Sequence, residues 1–136
     1  MPAWSDLGMF MTILKYLWVM PATLVGLVIA SIAVLTGGSV QVYSGAIEAW
    51  GGFATWVFKS LLGRGCAMTI GHVIIAQYER SVSRYRLHEH VHIEQYEKWG
   101  PLFIPLYLAS SVMAWLEGKH FYRDNVFERE AYRRYE

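Results

Sequence analysis

The chain has 136 residues, of which 54% are hydrophobic, 15% aromatic and 17% charged. Soluble domains average about 45–50% apolar and about 25% charged residues, so this composition excludes a disordered or collagen-like protein. The aromatic content suits a membrane interface or a ligand cleft. The formal net charge of +1 gives no electrostatic attraction to nucleic acid, which is therefore not an expected partner. The single cysteine, Cys66, excludes an internal disulfide framework and a multi-cysteine zinc site.

The first part of the chain predicts one transmembrane helix. No charged residue occurs between Lys15 and Glu48. Within that stretch, residues 16–36 match the roughly 30 Å hydrocarbon core of a bilayer at about 1.5 Å per residue. A secretory signal peptide is the alternative, but no cluster of basic residues precedes the segment. We therefore interpret residues 1–37 as a membrane anchor. Lys15 slightly favours a cytoplasmic N-terminus, which places the rest of the chain on the non-cytoplasmic side.

Residues 38–136 predict a small domain of class α+β that begins with a short sheet. Three runs are rich in β-branched and apolar residues: Val40 to Trp50, Phe53 to Phe58 and Ala67 to Ala76. They predict about three strands. Glycine-containing turns separate the runs, and the second of these turns is at residues 63–65.

The remainder of this domain predicts three helices. The first covers about residues 80–99 and ends before a Gly-Pro pair, which stops a helix. The second covers about residues 102–117, is almost free of charge, and is short for a membrane span. The third begins at about residue 125.

The first of these helices carries an H-E-x-x-H motif at residues 88–92. On a helix, His88 and His92 lie one turn apart on the same face, so both imidazoles can reach one metal ion. Glu89 projects beside them, where it can accept a proton from a metal-bound water. The alternative is a solvated helix face that is rich in histidine and glutamate. Two imidazoles suit Zn²⁺, which then needs a third protein ligand and keeps its fourth position for water.

The third ligand is expected from the C-terminal segment, where two glutamates are candidates. Glu128 and Glu130 both lie near the start of the last predicted helix, and spacing favours Glu128 only slightly. With Asn125 as the N-cap, Glu128 also occupies the capping-box position. It can serve as a ligand only if its carboxylate turns inward. Cys66 precedes the last strand and is a poor candidate.

This site constrains the apolar helix at residues 102–117. If that helix crossed the membrane once, the histidine pair and Glu128 would lie on opposite sides, and no three-ligand site could form. We therefore predict a buried or interfacial helix that packs on the motif helix and returns the chain to Glu128. The expected topology is a single-pass membrane protein.

The two motifs together resemble a known family of metalloproteases. H-E-x-x-H followed some tens of residues later by Glu-x-x-Ala is similar to the gluzincins, and closest to the membrane-associated heat-shock and CAAX-processing proteases. In those proteins the third ligand opens a Glu-x-x-Ala-Asp motif, which residues 128–132, EREAY, match except at the last position. The resemblance implies zinc ligation by His88, His92 and Glu128, with Glu89 as the general base.

A second pattern is similar to small uncharacterised bacterial zincin-like domains. Their pattern places T-x-G ahead of H-E-x-x-H-[V/I]-x-Q, and residues 69–71 (TIG) and 88–95 (HEHVHIEQ) match it. The resemblance covers roughly residues 66–134. It implies a minimal zincin-like domain, held at a bacterial inner or internal membrane.

These observations support two hypotheses for function. In the first, the chain is a membrane-anchored zinc metalloendopeptidase, in which metal-activated water hydrolyses a bond of a peptide or protein substrate. In the second, it is a non-catalytic accessory subunit of a larger membrane complex, with a zincin-like fold and a structural or vestigial metal site. A metal-free membrane scaffold is a third possibility. Membrane lipid is an expected partner in every case.

Overall fold

The computed structural model describes residues 3–61 and 66–135. It has a mixed α+β fold, as the sequence predicts. A four-stranded sheet lies at the centre, with helices on both of its faces. In chain order the elements are α1 (Ala3–Leu35), β1 (Ser39–Tyr43), β2 (Ala46–Trp50), α2 (Phe53–Leu61), β3 (Ala67–Ile70), β4 (Val73–Ala76), α3 (Glu79–Trp99), a 3₁₀ turn (Gly100–Leu102), α4 (Phe103–Leu116) and α5 (Val126–Tyr135).

The sheet has four strands in the order β1-β2-β4-β3, rather than the three strands predicted. Strands β1 and β2 form a hairpin whose loop residues, Ser44 and Gly45, have φ angles of 49° and 81°, as in a type I′ turn. Strands β3 and β4 form a second hairpin, with Gly71 at φ 65° in the first loop position, as in a type II′ turn. The first and the third predicted runs therefore each fold back on themselves, because two loop residues are enough to reverse a strand.

The run from Phe53 to Phe58, predicted as a strand, belongs to helix α2. Strands β2 and β4 are parallel neighbours, and a parallel pair needs a crossover connection, usually a helix. Within α2, Ala54 and Phe58 are one turn apart and both are buried, so the apolar pattern fits a helix face. The turn predicted at residues 63–65 lies outside the described residues.

Helix α1 is longer than the predicted span at residues 16–36, since it begins at Ala3 and ends at Leu35. Pro21 lies inside it without ending it. We call residues 6–18 the exposed half of α1, because nearly every side chain there is exposed. Its large exposed apolar side chains are Leu7, Met9, Phe10, Met11, Ile13, Leu14, Leu17 and Trp18.

The C-terminal half of α1 covers one face of the sheet. Ala30 and Ala33 are buried there in one cluster with Val73 of β4. A Cβ atom on Gly26 would lie 2.6 Å from the carbonyl oxygen of Ile70, so the missing side chain permits the close approach of helix and hairpin. The predicted membrane anchor therefore also forms a layer of the domain.

Helix α3 covers the opposite face of the sheet and is fixed there by a buried ion pair. Ile93 packs with Ile74 of β4 in a buried cluster. Glu48 of β2 is fully buried, and both of its carboxylate oxygens lie 2.9 Å from guanidinium nitrogens of Arg86. Gln41 of β1 donates a further hydrogen bond to the same carboxylate. These contacts hold the N-terminal half of α3 over the sheet, directly before the H-E-x-x-H motif.

Helices α4 and α5 complete the fold beside the C-terminal half of α3. Phe103 of α4 is buried against Tyr96 of α3. Asn125, which is fully buried, caps α5 by accepting a hydrogen bond from the N–H of Phe127 and donates to the carbonyl oxygen of Tyr107. The start of α5 is therefore attached to the middle of α4.

By length and composition alone, two helical stretches could cross a membrane: residues 6–35 and residues 79–116. In the second stretch the apolar part is α4, because α3 carries eight charged side chains among its 21 residues. The exposed apolar side chains of α4 are Ile104, Leu108, Val112, Met113, Trp115 and Leu116.

Candidate metal centre

Two histidines of α3 and one glutamate of α5 meet in a buried cluster that could hold a metal ion. Nε2 of His88 lies 3.0 Å from Oε2 of Glu128, and Nε2 of His92 lies 3.2 Å from Oε1 of the same carboxylate. The two Nε2 atoms are 3.2 Å apart. Two ring nitrogens and a carboxylate in such proximity need a proton or a metal ion between them, because their lone pairs would otherwise face one another. Two imidazoles with one carboxylate are also a donor set that binds zinc.

The third member of the cluster is Glu128 rather than Glu130. Glu128 is buried, and the hydroxyl of Tyr107 in α4 donates a 2.7 Å hydrogen bond to its Oε1 atom. Its carboxylate therefore turns inward from the first turn of α5 instead of closing a capping box. Glu130 points away, because it accepts a hydrogen bond from Gln95 and lies 3.8 Å from Arg134.

Gln95 sets the tautomer of His92. The side-chain amide of Gln95 donates through Nε2 to the carbonyl oxygen of Phe127 at 3.1 Å, which can only accept. Its Oε1 therefore faces His92, where it lies 2.8 Å from Nδ1. An amide oxygen accepts only, so Nδ1 carries the proton of the neutral ring, and Nε2 faces the cluster, where it can hold either a second proton or a metal ion. This is the outer-shell arrangement that orients metal-binding histidines in proteins.

The charges of the cluster favour the ionised carboxylate. Burial acts to raise the pKa of Glu128, but hydrogen bonds with His88 and His92 outweigh it and hold that pKa at about 2. Burial acts to lower the pKa of His92, but its hydrogen bond and charge interaction with Glu128 raise that pKa to about 9. The site therefore stabilises a negative carboxylate facing a positive charge.

Glu89 lies next to this cluster and is attached to the sheet. Its carboxylate is buried and accepts a 2.6 Å hydrogen bond from the hydroxyl of Thr69 in β3. Burial raises the pKa of Glu89, although the neighbouring charge of His92 and the Thr69 hydrogen bond act in the opposite direction. A carboxyl group with a raised pKa in a buried site is suited to accepting and returning a proton.

The other histidines of α3 and the sheet lie outside the cluster. His90 projects from a different face of α3 and packs edge-on against Tyr43 of β1, as its helical position predicts. His72 is buried in the β3–β4 turn, where its ring stacks on Tyr16 of α1 with 4.0 Å between centroids.

Two residues that contact the site were not predicted from the sequence to do so. Tyr107 contacts Glu128 and Thr69 contacts Glu89, yet each comes from a separate element of the fold. The only signal for Thr69 was its place in the T-x-G pattern. Tyr107 is the one tyrosine of an apolar run, and its phenol predicts a place at the membrane interface rather than a contact with Glu128.

Comparison of the chain with protein-family models, with curated proteins and with solved structures found no match.

Replacing Gln95 with alanine should weaken metal binding while the cluster residues remain in place. Without its oxygen, Nδ1 of His92 loses the acceptor that sets the tautomer. Loss of such an outer-shell partner lowers metal affinity by roughly 10- to 100-fold. Competition of the purified protein with a chromogenic zinc chelator would measure the change. Glu94→Ala, on the exposed side of α3, is the matched control and should leave the affinity unchanged, and an unchanged affinity in Gln95→Ala would contradict the assigned role.

Proposed function

We propose that the chain is a membrane-anchored, zinc-dependent peptidase of the zincin-like class. The observation that carries this proposal is the buried cluster of His88, His92 and Glu128 with the carboxylate of Glu89 beside it. This combination unites a metal donor set with a group that can transfer protons. The direct test is hydrolysis of an unfolded protein by the zinc-loaded chain. Activity should be lost on chelation and restored by zinc, and the absence of any cleavage would contradict the proposal.

His88, His92 and Glu128 would hold the metal through the atoms that already face one another. Zinc bound there would supply a Lewis acid, which makes water more acidic and polarises a carbonyl group. Gln95 keeps the ring of His92 in the tautomer that presents Nε2. The hydrogen bond from Tyr107 orients the carboxylate of Glu128.

Glu89 would transfer the proton in this reaction. Its carboxylate takes a proton from the attacking water and returns it to the nitrogen of the leaving amine, so the group ends the cycle as it began. Thr69 restricts the carboxylate to one orientation through the 2.6 Å hydrogen bond. The raised pKa of Glu89 favours the protonated form that must donate to the amine.

Strand β3 offers a surface on which an extended peptide could bind. It is an edge strand of the sheet, and through Thr69 it contacts the residue that would act as general base. Extended peptides bind edge strands through main-chain hydrogen bonds. Met68 of β3 is about half exposed, so a side chain is also available to a peptide at this edge.

The exposed half of α1 and the outer face of α4 support attachment to a membrane. Both surfaces carry large apolar side chains that are exposed, and soluble proteins rarely leave such extended patches. The single-pass topology, the non-cytoplasmic domain and the bacterial inner or internal membrane remain part of this proposal. The contacts between α4 and the start of α5 support a helix α4 that lies at the membrane without separating α3 from α5.

Probes at Lys98 and Lys119 should therefore report the same side of the membrane. Both positions would be changed to cysteine, one at a time, in a Cys66→Ser background, and labelled in sealed vesicles with an impermeant maleimide. Equal accessibility is expected, because the cluster requires α3 and α5 to meet. Labelling from opposite sides would exclude an assembled site in the membrane-bound protein. The Cys66→Ser parent without a new cysteine is the control for background labelling.

A non-catalytic accessory subunit with a structural metal is the second candidate function. The observation that favours it is the burial of all three cluster residues, of which the most exposed, His88, retains 9% of its surface. Structural zinc sites are closed, whereas catalytic sites keep an accessible position. A zinc-loaded chain that cleaves no substrate and purifies in a stable complex with other membrane proteins would support this function instead.

A further inference from the structure

An open cleft with a strongly positive lining lies beside the candidate metal centre. Its volume is about 650 Å³, and its lining residues are Arg123, Arg129, Tyr132 and Arg133. Arg123 comes from the segment before α5 and the other three residues come from α5 itself. All three arginines are exposed, so a ligand in solution can reach them.

Tyr132 connects the cleft to the metal centre. Its ring lies 4.5 Å from the ring of His88, measured between centroids. The same helix carries Glu128 into the cluster on its inner face. A molecule that occupies the cleft is therefore separated from the histidine pair by a single aromatic ring.

The positive charge of the cleft is not neutralised by the part of the chain that the structure describes. Arg86 and Arg134 form ion pairs with glutamates, whereas no such pair is found for the three arginines of the cleft among residues 3–61 and 66–135. Arg129 and Arg133 are also one turn apart on α5, where two like charges destabilise a helix. Repulsion between these arginines destabilises the free protein, and a bound anion would relieve it. Unpaired arginines grouped in this way are therefore expected at an anion-binding site.

The lining favours a carboxylate on a peptide over a lipid headgroup. It contains guanidinium groups and one phenol ring but no aliphatic side chain. Planar guanidinium groups match carboxylates with paired hydrogen bonds. Phe121 and Val126, close in sequence to Arg123 and Arg129, are exposed, but neither lines the cleft. Tyr132 does line it and contacts His88 of the candidate metal centre, which favours a group of a substrate as the ligand.

We propose that the Arg123–Arg129–Arg133 cleft binds a carboxylate of a peptide substrate next to the bond to be cleaved. This inference rests on the proposed peptidase function, because it names the substrate class for the same site. The carboxylate would come either from an acidic side chain or from the C-terminus of the peptide, and both offer the same chemistry to the arginines.

Equilibrium binding of three fluorescent peptides to the zinc-loaded full-length chain tests the proposal. One peptide is blocked at both ends and contains two glutamates, the second has glutamines in their place, and the third has the glutamines and a free C-terminus. Binding is measured in detergent at low salt, in a Glu89→Gln background so that no peptide is consumed.

The test variant is Arg129→Gln with Arg133→Gln, and Arg80→Gln with Arg84→Gln is the matched control. The control pair is also exposed and one turn apart, but on α3.

We expect the peptide with a carboxylate to bind about tenfold more tightly than the neutral peptide, as charge-assisted hydrogen bonds allow. That preference should disappear in the test variant and persist in the control. The glutamate and free C-terminus peptides distinguish the two sources of the carboxylate. An unchanged zinc content in all variants shows that the fold is intact.

Equal binding of charged and neutral peptides, or a preference that survives in the test variant, would overturn the proposal. Arginine-dependent binding of vesicles with anionic lipid, without peptide selectivity, would assign the cleft to lipid and also overturn it. Selective binding by a chain that cleaves no peptide would refute the peptidase function and leave the cleft assignment intact.

Discussion

Replacing His92 with alanine should remove stoichiometric zinc from the purified protein. His92 provides one of three donor groups, and its Nε2 atom lies within 3.2 Å of both other donors. The loss of a direct ligand should exceed the roughly 10- to 100-fold effect of losing an outer-shell partner. Metal analysis of the detergent-purified chain should therefore find about one zinc per wild-type molecule and almost none in the variant.

Thermal unfolding with and without zinc gives an independent measure of the same loss. Free zinc at 100 times its dissociation constant should stabilise the wild type by about 2.7 kcal/mol, and the His92→Ala variant should show no shift. His120→Ala is the matched control, because His120 is exposed and does not belong to the cluster. A wild type without stoichiometric zinc, or an Ala variant that keeps it, would contradict the assignment of this site as a metal centre.

The local part of the site could be predicted from the sequence because helical geometry determines it. Four-residue spacing brings His88 and His92 to one face of any helix. Glu128 lies 40 positions from His88, and no local rule brings these residues together. The residue pattern left Glu128 and Glu130 open, and the orientation of α5 decides between them. That orientation depends on Asn125 and its contacts with α4.

The sheet was predicted less accurately, since strands and short helices share apolar composition. The run from Phe53 to Phe58 contains β-branched and aromatic residues, which suit a strand by propensity. Its role as the connection between two parallel strands gives it helical structure instead. A short apolar run does not show which connection it has to make, so this result depends on tertiary structure.

The length and apolarity of α1 were evident in the sequence, but its second role was not. An uncharged helix of small and aliphatic residues has the same pattern whether it faces lipid or the face of a sheet. Gly26, Ala30 and Ala33 bring their half of α1 against β4. The exposed half touches the turns of the two hairpins through Tyr16. Helix α1 therefore combines a surface of the core with a surface available to lipid.

Replacing Glu89 with glutamine should abolish most peptidase activity while zinc remains bound. Glutamine has almost the same shape and can still hydrogen-bond to Thr69, but it cannot accept a proton at neutral pH. General-base catalysis contributes about 10²- to 10⁴-fold to rates, so kcat/KM should fall by that factor. Because Glu89 is not among the three residues whose donor atoms form the cluster, the zinc content should not change. Cleavage of an unfolded protein by equal amounts of zinc-loaded wild type and variant measures the effect.

The combination of lost activity and retained metal separates proton transfer from metal binding. Glu79→Gln, an exposed position at the start of α3, removes the same charge and should keep full activity. Thr69→Val should lower kcat without releasing zinc, because the hydroxyl orients the carboxylate of Glu89 and contacts no member of the cluster. Equal activity of the wild type and Glu89→Gln would remove Glu89 as the base and leave the buried cluster as a structural metal centre.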